Sequence, residues 1–483
     1  MPALATDSAS PPTLTHAAAV RSSYPLPVPE SLIARYDGYA PRYTSYPTAA
    51  EFRSDFDAGR LDAAIAAGNL LPDAPDLSLY LHLPFCREAC WYCACHRAIT
   101  HRPERAARYL QALYQEIAQR GGQITGHRRV RQLHLGGGTP TFYRMEELAG
   151  LLAHIARHFH IAERAEREWS IEIDPRTVAP DEAQALVAMG FDRVSMGIQD
   201  FDPTVQQAIH RQQDVRMVRA LVESVRAAGV RGISFDLIYG LPWQTVAGFR
   251  RTLRVVKQLR PDRVSIYGYA HMPDRFRLQS LIPNAALPDA ATRLQLMAAC
   301  HHELAEAGYV HVGMDHFALA HDPLVQAQRD GSLQRNFQGY STLGGCDLIG
   351  MGASAISQVG GVYGQNASAI ADWEQRVAEG RRAVARGYAM TADDQLRSDI
   401  IQSLMCHGRV DLVAIEGRHG IDFADYFASL QPTLARMADD GLLHLGRRVL
   451  ALTERGRFLM RSVAVLFDAH RGAESATRFS RAI

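Results

Sequence analysis

With 483 residues, 47% of them hydrophobic, the chain is long enough to bury a large core and a second, smaller one. Its 52 Lys and Arg against 51 Asp and Glu give a net charge of +1, which leaves no basic field for nucleic acid and no acidic tail; no apolar run reaches membrane-spanning length, so a soluble protein is expected. The only lysine is Lys257, in a helix-like run, which nearly excludes Schiff-base chemistry and a P-loop and leaves anion binding to arginine.

The first 29 residues are rich in Ala, Ser, Thr and Pro and lack the basic start and apolar stretch of a secretory signal. Residues 1–35 are therefore expected to be a disordered tail. With seven cysteines and no secretory context, the thiols should stay reduced, and a cytoplasmic protein is expected.

Residues 36–76 follow as an N-terminal strap and helix over the active site. The strap holds Tyr36, Tyr39, Tyr43 and Tyr46 around Arg42, and Pro41 and Pro47 favour an extended path. Two readings stay open: an irregular strap packed on the surface of the main domain, or tyrosines and an arginine laid across the mouth of a pocket.

From residue 77 onward, strand-length apolar runs alternate with helical patterns. The candidate strands are 77–83, 132–135, 169–173, 193–197, 232–238 and 263–269. Six strand-helix units predict an α/β fold, an incomplete (β/α)6-type barrel over 77–365, with an open doubly wound sheet as the alternative. Polar residues crowd the strand ends: Gly136, Gly137, Gly138 and Thr139; Glu172 and Asp174; Gln199 and Asp200; Asp236 and Tyr239; Tyr269, Ala270 and His271. At the carboxyl ends of parallel barrel strands, such residues converge on one mouth. Taken singly, each has a plainer role: a helix cap for Glu172 or Asp236, a tight turn for the glycines, an exposed side chain for Arg211. Residues 366–483 read as a mostly helical C-terminal domain whose stretch 430–463 suggests a winged helix. The balanced charge favours a cap over the barrel rather than DNA binding.

The stretch Tyr80 to Cys95 reads Y-L-H-L-P-F-C-R-E-A-C-W-Y-C-A-C, and places Cys86, Cys90 and Cys93 just past the first strand. Three thiolates on one short loop can hold three irons of a 4Fe-4S cube and leave the fourth open. Zinc is disfavoured because no second ligand pair stands at finger spacing. The C-x3-C-x2-C spacing, with an aromatic before the last Cys, resembles the radical S-adenosylmethionine (SAM) superfamily, in which the methionine amino and carboxylate groups chelate the open iron.

The whole set resembles the oxygen-independent coproporphyrinogen III oxidases of haem biosynthesis, from about Tyr36 to the C-terminus. The matching stretches are 41–48, 82–95, 136–141, 171–176, 196–201, 236–242, 269–271, 313–318, 335–340 and 350–357. The resemblance implies one 4Fe-4S cluster on Cys86, Cys90 and Cys93, and two SAM molecules. Tyr80, Gly137, Glu172 and Ile356 would contact the SAM on the cluster; Tyr92, Gly138, Thr139, Gln199, Arg211, Asp236 and Ala270 would contact the second. Cys95 is implied to stay off the iron, near substrate or cluster, and Arg42 with its tyrosines is the candidate for the substrate propionates, so Tyr80, Cys95 and Arg42 are the expected catalytic group. The implied reaction is reductive cleavage of SAM to a 5'-deoxyadenosyl radical, hydrogen abstraction from a propionate, and loss of carbon dioxide and one electron to leave a vinyl group. Done twice, it converts coproporphyrinogen III into protoporphyrinogen IX. An external donor such as a flavodoxin-like protein is implied, and a monomer without nucleic-acid or membrane partner is expected. The rival readings are a haem-binding chaperone with the same radical machinery and, in another class, a cluster-containing winged-helix regulator.

Overall fold

The computed structural model describes residues 28–125 and 127–471. Six parallel strands form its centre: β1 (Leu77–Leu83), β2 (Arg129–Gly137), β3 (Glu168–Ile173), β4 (Arg193–Gln199), β5 (Gly232–Tyr239) and β6 (Arg263–Gly268), hydrogen-bonded in that order. These are the six runs expected, each within a few residues of its expected bounds. Beyond β6 the sheet continues with antiparallel β8 (His316–Leu319) and then β7 (Tyr309–Gly313). Beyond β1 come parallel β11 (Asp347–Met351) and antiparallel β12 (Ile356–Val359), β13 (Val362–Asn366) and β14 (Val384–Ala389), with β9 (Gln334–Asn336) and β10 (Gly339–Ser341) forming a separate hairpin. The sheet does not close on itself.

The connecting helices decide between barrel and open sheet. Helices α3 (Pro103–Gly121), α4 (Met145–His158), α5 (Ala183–Ala188), α7 (Val215–Ala227), α8 (Val246–Leu259) and α9 (Ala290–Glu306) form an outer layer, with α3 against α4, α5 against α7, α7 against α8 and α8 against α9. The incomplete barrel is therefore the correct alternative. Local chemistry fixes where several of these helices begin: Asp214, Thr245 and Asp289 accept backbone N–H groups of Arg216, Gly248 and Thr292, relieving donors that the first turn leaves unpaired. In β3 the period of two is plain. Trp169, Ile171 and Ile173 are buried in the core, while Glu168, Ser170 and Glu172 are less so. The strand register carries this polar set across the sheet: Tyr80 beside His134, His134 beside Ser170, Glu172 beside Ser195, and Asp236 beside Ser265.

Three expectations need correction. Residues 28–35 are not part of a loose tail: α1 (Glu30–Tyr36) buries Leu32 and Ile33, and Arg35 pairs with Asp440 at 2.7 Å; residues 1–27 lie outside the described ones. The strap is not confined to the surface of the main domain: Arg42 pairs with Asp315 and the Tyr46 carbonyl accepts from Tyr363, but two of its tyrosines enter the C-terminal core. Tyr43 and Tyr46 are buried in the same apolar cluster as Leu396, Leu404, Leu434 and Phe467, and Tyr43 donates to Asp468 at 3.0 Å. Two aromatic rings on a short extended segment fill space that the small C-terminal core cannot fill alone. Finally, the boundary at 366 falls too early, because β13 and β14 pair as the edge of the main sheet. The C-terminal unit begins at α12 (Ala392–His407), started by a Thr391–Asp394 capping box. It ends in a winged-helix-like arrangement of β15 (Arg409–Asp411), β16 (Leu443–Leu445), β17 (Val449–Leu452), α16 (Glu454–Phe458) and α17 (Met460–Ala464), with β17 between the other two strands.

Candidate active site

A cavity of about 740 Å³ opens at the carboxyl ends of the barrel strands. Cys86, Cys90, Cys93 and Cys95 line it, together with Gly137, Gly138 and Thr139 from the end of β2, Glu172 from β3, Gln199 from β4 and Asp236 from β5. The cysteine loop is anchored at both ends. Phe85–Cys86 pairs in parallel with Ala98–Ile99, and the Thr139 hydroxyl donates to the Cys86 sulfur at 3.4 Å.

Besides lining the cavity, the glycines permit close packing at the root of the cysteine loop. A Cβ on Gly138 would stand 2.4 Å from the Pro84 carbonyl oxygen, and one on Gly137, where φ is +119°, would stand 2.7 Å from the His82 ring. Their space is filled by protein, so they let the end of β2 press against the start of the cysteine loop. Their backbone N–H groups are used there too: Gly138 donates to Leu83 at 2.9 Å and Gly137 to Glu172 at 3.2 Å.

Three arginines surround the sulfurs. Arg211 donates to Cys90 at 3.5 Å and to Asp174 at 2.9 Å; Arg176 donates to Asp174 at 2.7 Å and reaches Cys90 at 3.8 Å; Arg97 donates to the Cys90 carbonyl at 3.2 Å. Burial opposes the Arg211 charge, but Tyr92 and Asp174 hold its pKa above the ordinary value. Burial likewise works against Glu172, yet hydrogen bonds from His134 and the Gly137 backbone keep it ionised below its usual range. Asp236 goes the other way. Burial, reinforced by the Glu172 charge, pushes it up to about 6, although Ser195 donates to it at 3.0 Å.

The residues present fit an iron-sulfur cluster. Among the described residues no three His, Cys, Asp or Glu side chains converge as a single metal ion would require, whereas four cysteines of one loop, the expected three ligands and Cys95, face a common cavity. The Nε atoms of Arg97 and Arg211 are buried beside that loop with no protein partner, donors awaiting an acceptor. Cys93 is drawn down to about 6, chiefly by a hydrogen bond from Cys95, while burial raises Cys86 to about 11, a cost that metal binding removes by displacing the proton.

Of the other expected contacts, Tyr92 lines the same cavity, and Tyr80 stands behind it, stacked on His134 at 5.8 Å with its hydroxyl 3.0 Å from His82 Nδ1. Ile356 does not line it; its backbone packs against Gly350, which is paired with Tyr80. Ala270 and Arg42 line a neighbouring cavity instead. Arg42 is ion-paired with Asp315 and lies over the Tyr267 ring, and of the strap tyrosines only Tyr39 reaches that cavity. The expectation that the tyrosines around Arg42 line the mouth therefore fails for Tyr36, Tyr43 and Tyr46. Sequence reading missed Arg97 and Arg176 as neighbours of the sulfurs. Arg97, two positions after Cys95, offered a signal: the first cation past a cysteine loop is close enough to fold back on it.

Family comparison agrees with this geometry. The radical SAM superfamily model matches residues 80–256, and the HemN C-terminal domain model matches residues 390–459. Barrel and cysteine loop together define a radical SAM enzyme. The chain is 44% identical over 452 residues to the oxygen-independent coproporphyrinogen III oxidase of Pseudomonas aeruginosa, covering 94% of this chain and 98% of that protein. It is 43% identical over 454 residues to the protein of that name from Escherichia coli, with the same coverage. The solved structure of coproporphyrinogen III oxidase (HemN) from Escherichia coli superposes with a TM-score of 0.86 at 41% identity, covering 92% of this chain and 99% of that one. The chain belongs to the oxygen-independent coproporphyrinogen III oxidase family. Membership carries with it a 4Fe-4S cluster and SAM, for which the residues above are suited.

Proposed function

We propose that this chain catalyses the oxygen-independent oxidative decarboxylation of two propionates of coproporphyrinogen III to vinyl groups, giving protoporphyrinogen IX in haem biosynthesis. The observation that carries this reading is the three-cysteine loop at the barrel mouth, in a chain that matches oxidases of that name over nearly its whole length. When bound, the cluster and SAM supply one-electron cleavage of the sulfonium and, through it, the hydrogen abstraction that starts each decarboxylation.

The chain's own residues bind, orient and shield. Cys86, Cys90 and Cys93 hold three irons. Arg97, Arg176 and Arg211 offset the negative charge of the thiolates, and Asp174 matches two of those arginines. Glu172, ionised and facing the cavity, suits the ammonium or ribose hydroxyls of SAM. Tyr92, Gly138, Thr139, Gln199, Arg211 and Asp236 sharing that cavity supports a second SAM beside the first; Ala270, in the neighbouring cavity, does not add to that support. Arg42 enters as a wall residue whose charge Asp315 already matches. Cys95 faces the cavity next to Cys93 and is free to act near substrate. The C-terminal domain is a cap, since Arg457 and Arg461 turn into a cavity beside the barrel mouth rather than outward. The electron source is an external one-electron donor of the flavodoxin kind, and the protein acts as a cytoplasmic monomer with no nucleic-acid partner. Among the described residues no helix is long and apolar enough to cross a membrane.

The test is an anaerobic assay of reconstituted protein with coproporphyrinogen III, SAM and a reductant. Vinyl product and 5'-deoxyadenosine should rise together. Methionine release without tetrapyrrole turnover would favour the haem-chaperone reading.

A further inference from the structure

A second cavity of about 420 Å³ adjoins the cysteine cavity. The two meet along β6, where Tyr267 faces the cysteine side while Ile266 and Gly268 face the other. The second cavity is walled by the barrel end and α9 on one side and by the α16–α17 turn of the C-terminal domain on the other. Four arginines line it, Arg42, Arg293, Arg457 and Arg461, against one carboxylate, Asp315.

These four cations are not equivalent. Arg42 takes Asp315. Arg461 is turned onto the carbonyls of Ala40 and Pro41. Arg293 and Arg457 meet only neutral carbonyls, those of Tyr269 and His407, each at 3.3 Å, and among the described residues no carboxylate pairs with either. The apolar part of the wall includes Met297, Phe317, Phe458 and Met460. An excess of positive charge over an apolar wall selects a polycarboxylate on an apolar framework. SAM has the wrong sign, since its ammonium and sulfonium outweigh its one carboxylate.

The geometry points to this cavity as the dock for the carboxylates of the tetrapyrrole that are not undergoing reaction, with Arg293 and Arg457 as their partners. This rests on the oxidase reading above. It makes the C-terminal domain part of substrate recognition through Arg457, and it moves the choice of substrate-binding arginine away from Arg42. A tetrapyrrole held there by its remote propionates presents another propionate across β6 to the cysteine cavity.

The probe is coproporphyrin III, the oxidised and unreactive tetrapyrrole, titrated into the reconstituted enzyme and followed by quenching of its fluorescence. Arg293→Met and Arg457→Met should each weaken binding at least tenfold, and Arg457→Lys should recover part of the loss. The tetramethyl ester should bind poorly to every form. In turnover the same Met variants should raise the KM for coproporphyrinogen III at least tenfold with kcat largely kept, and the change that SAM makes in the cluster's electron paramagnetic resonance should match the parent enzyme. Porphyrin binding unchanged in both Met variants overturns the proposal, as does loss of the SAM response in place of porphyrin binding. Either result leaves parent turnover, the test of the oxidase reading, standing by itself; failure of parent turnover would instead strike that reading.

Discussion

Arg211 stands 3.5 Å from the sulfur of Cys90 and, through the same nitrogen, 2.9 Å from Asp174, so the cation beside the cluster loop has its own buried counter-charge. Both side chains are 7% exposed. Removing one partner of such a pair leaves the other charged, buried and unmatched. Asp174→Asn should therefore lower the stability of the cluster-free protein by about 3 kcal/mol in denaturant unfolding. A loss below about 1 kcal/mol would mean that water screens the pair as it does a surface ion pair.

Arg211→Met removes the cation instead and leaves Asp174 with Arg176. The reduced cluster is the more negative form, so losing a nearby positive charge should move its midpoint potential downward. An anaerobic redox titration checks this, and an upward shift would contradict the assignment of Arg211 to the cluster's surroundings.

Gly138→Ala tests whether the triple glycine serves packing. Its added methyl would stand 2.4 Å from the Pro84 carbonyl oxygen and 2.9 Å from that of Phe85, both in the backbone leading into the cysteine loop. Overpacking of this kind costs about 1–3 kcal/mol. Because the atoms displaced lead directly to Cys86, iron content after reconstitution should fall along with the melting temperature. Full iron retention with an unchanged melting temperature would count against the role.

The pH dependence should carry the mark of Asp236, whose pKa burial and the Glu172 charge raise from the ordinary 3.8 to about 6. Between these values the folded state holds more protons than the unfolded state, so this group's contribution to stability falls as pH rises from about 4 to about 6. Asp236→Asn abolishes that loss. At pH 8 the variant should be more stable than the parent by about 1–2 kcal/mol, the full shift being discounted because the side chain faces the cavity. Melting curves from pH 4.5 to 8 should show the difference grow with pH; a constant difference would refute the assignment.

The barrel was legible because its strands are dictated by short-range patterning. β1 is buried on both faces, and its limits, Leu77–Leu83, follow from a leucine at every second position between Asp76 and Pro84. The convergence of Gly137, Glu172, Gln199 and Asp236 was legible for the same reason, since each lies in the carboxyl-terminal half of one such strand. Partnership was not. Nothing near Arg42 in sequence marks Asp315, 273 positions away, as its partner, nor distinguishes it from Arg293 and Arg457, which among the described residues meet carbonyls and no carboxylate. The burial of Tyr43 and Tyr46 was hidden likewise, because the residues that cover them, such as Leu404 and Phe467, come from the far end of the chain. The edge strands β13 and β14 went unread because each is short and interrupted by glycine, Gly364 and Gly387, where a Cβ would meet Leu61 and the Tyr363 carbonyl.

The central claim is that three sulfurs hold a four-iron cluster with one iron left for SAM, and the cysteines allow a direct measurement. Electron paramagnetic resonance of the anaerobically reconstituted, reduced protein should show a 4Fe-4S signal that changes on adding SAM. It should be lost in Cys86→Ser, Cys90→Ser and Cys93→Ser, and retained, with its response to SAM, in Cys95→Ser. A signal indifferent to SAM, or one that vanishes with Cys95 as completely as with Cys93, would contradict the account.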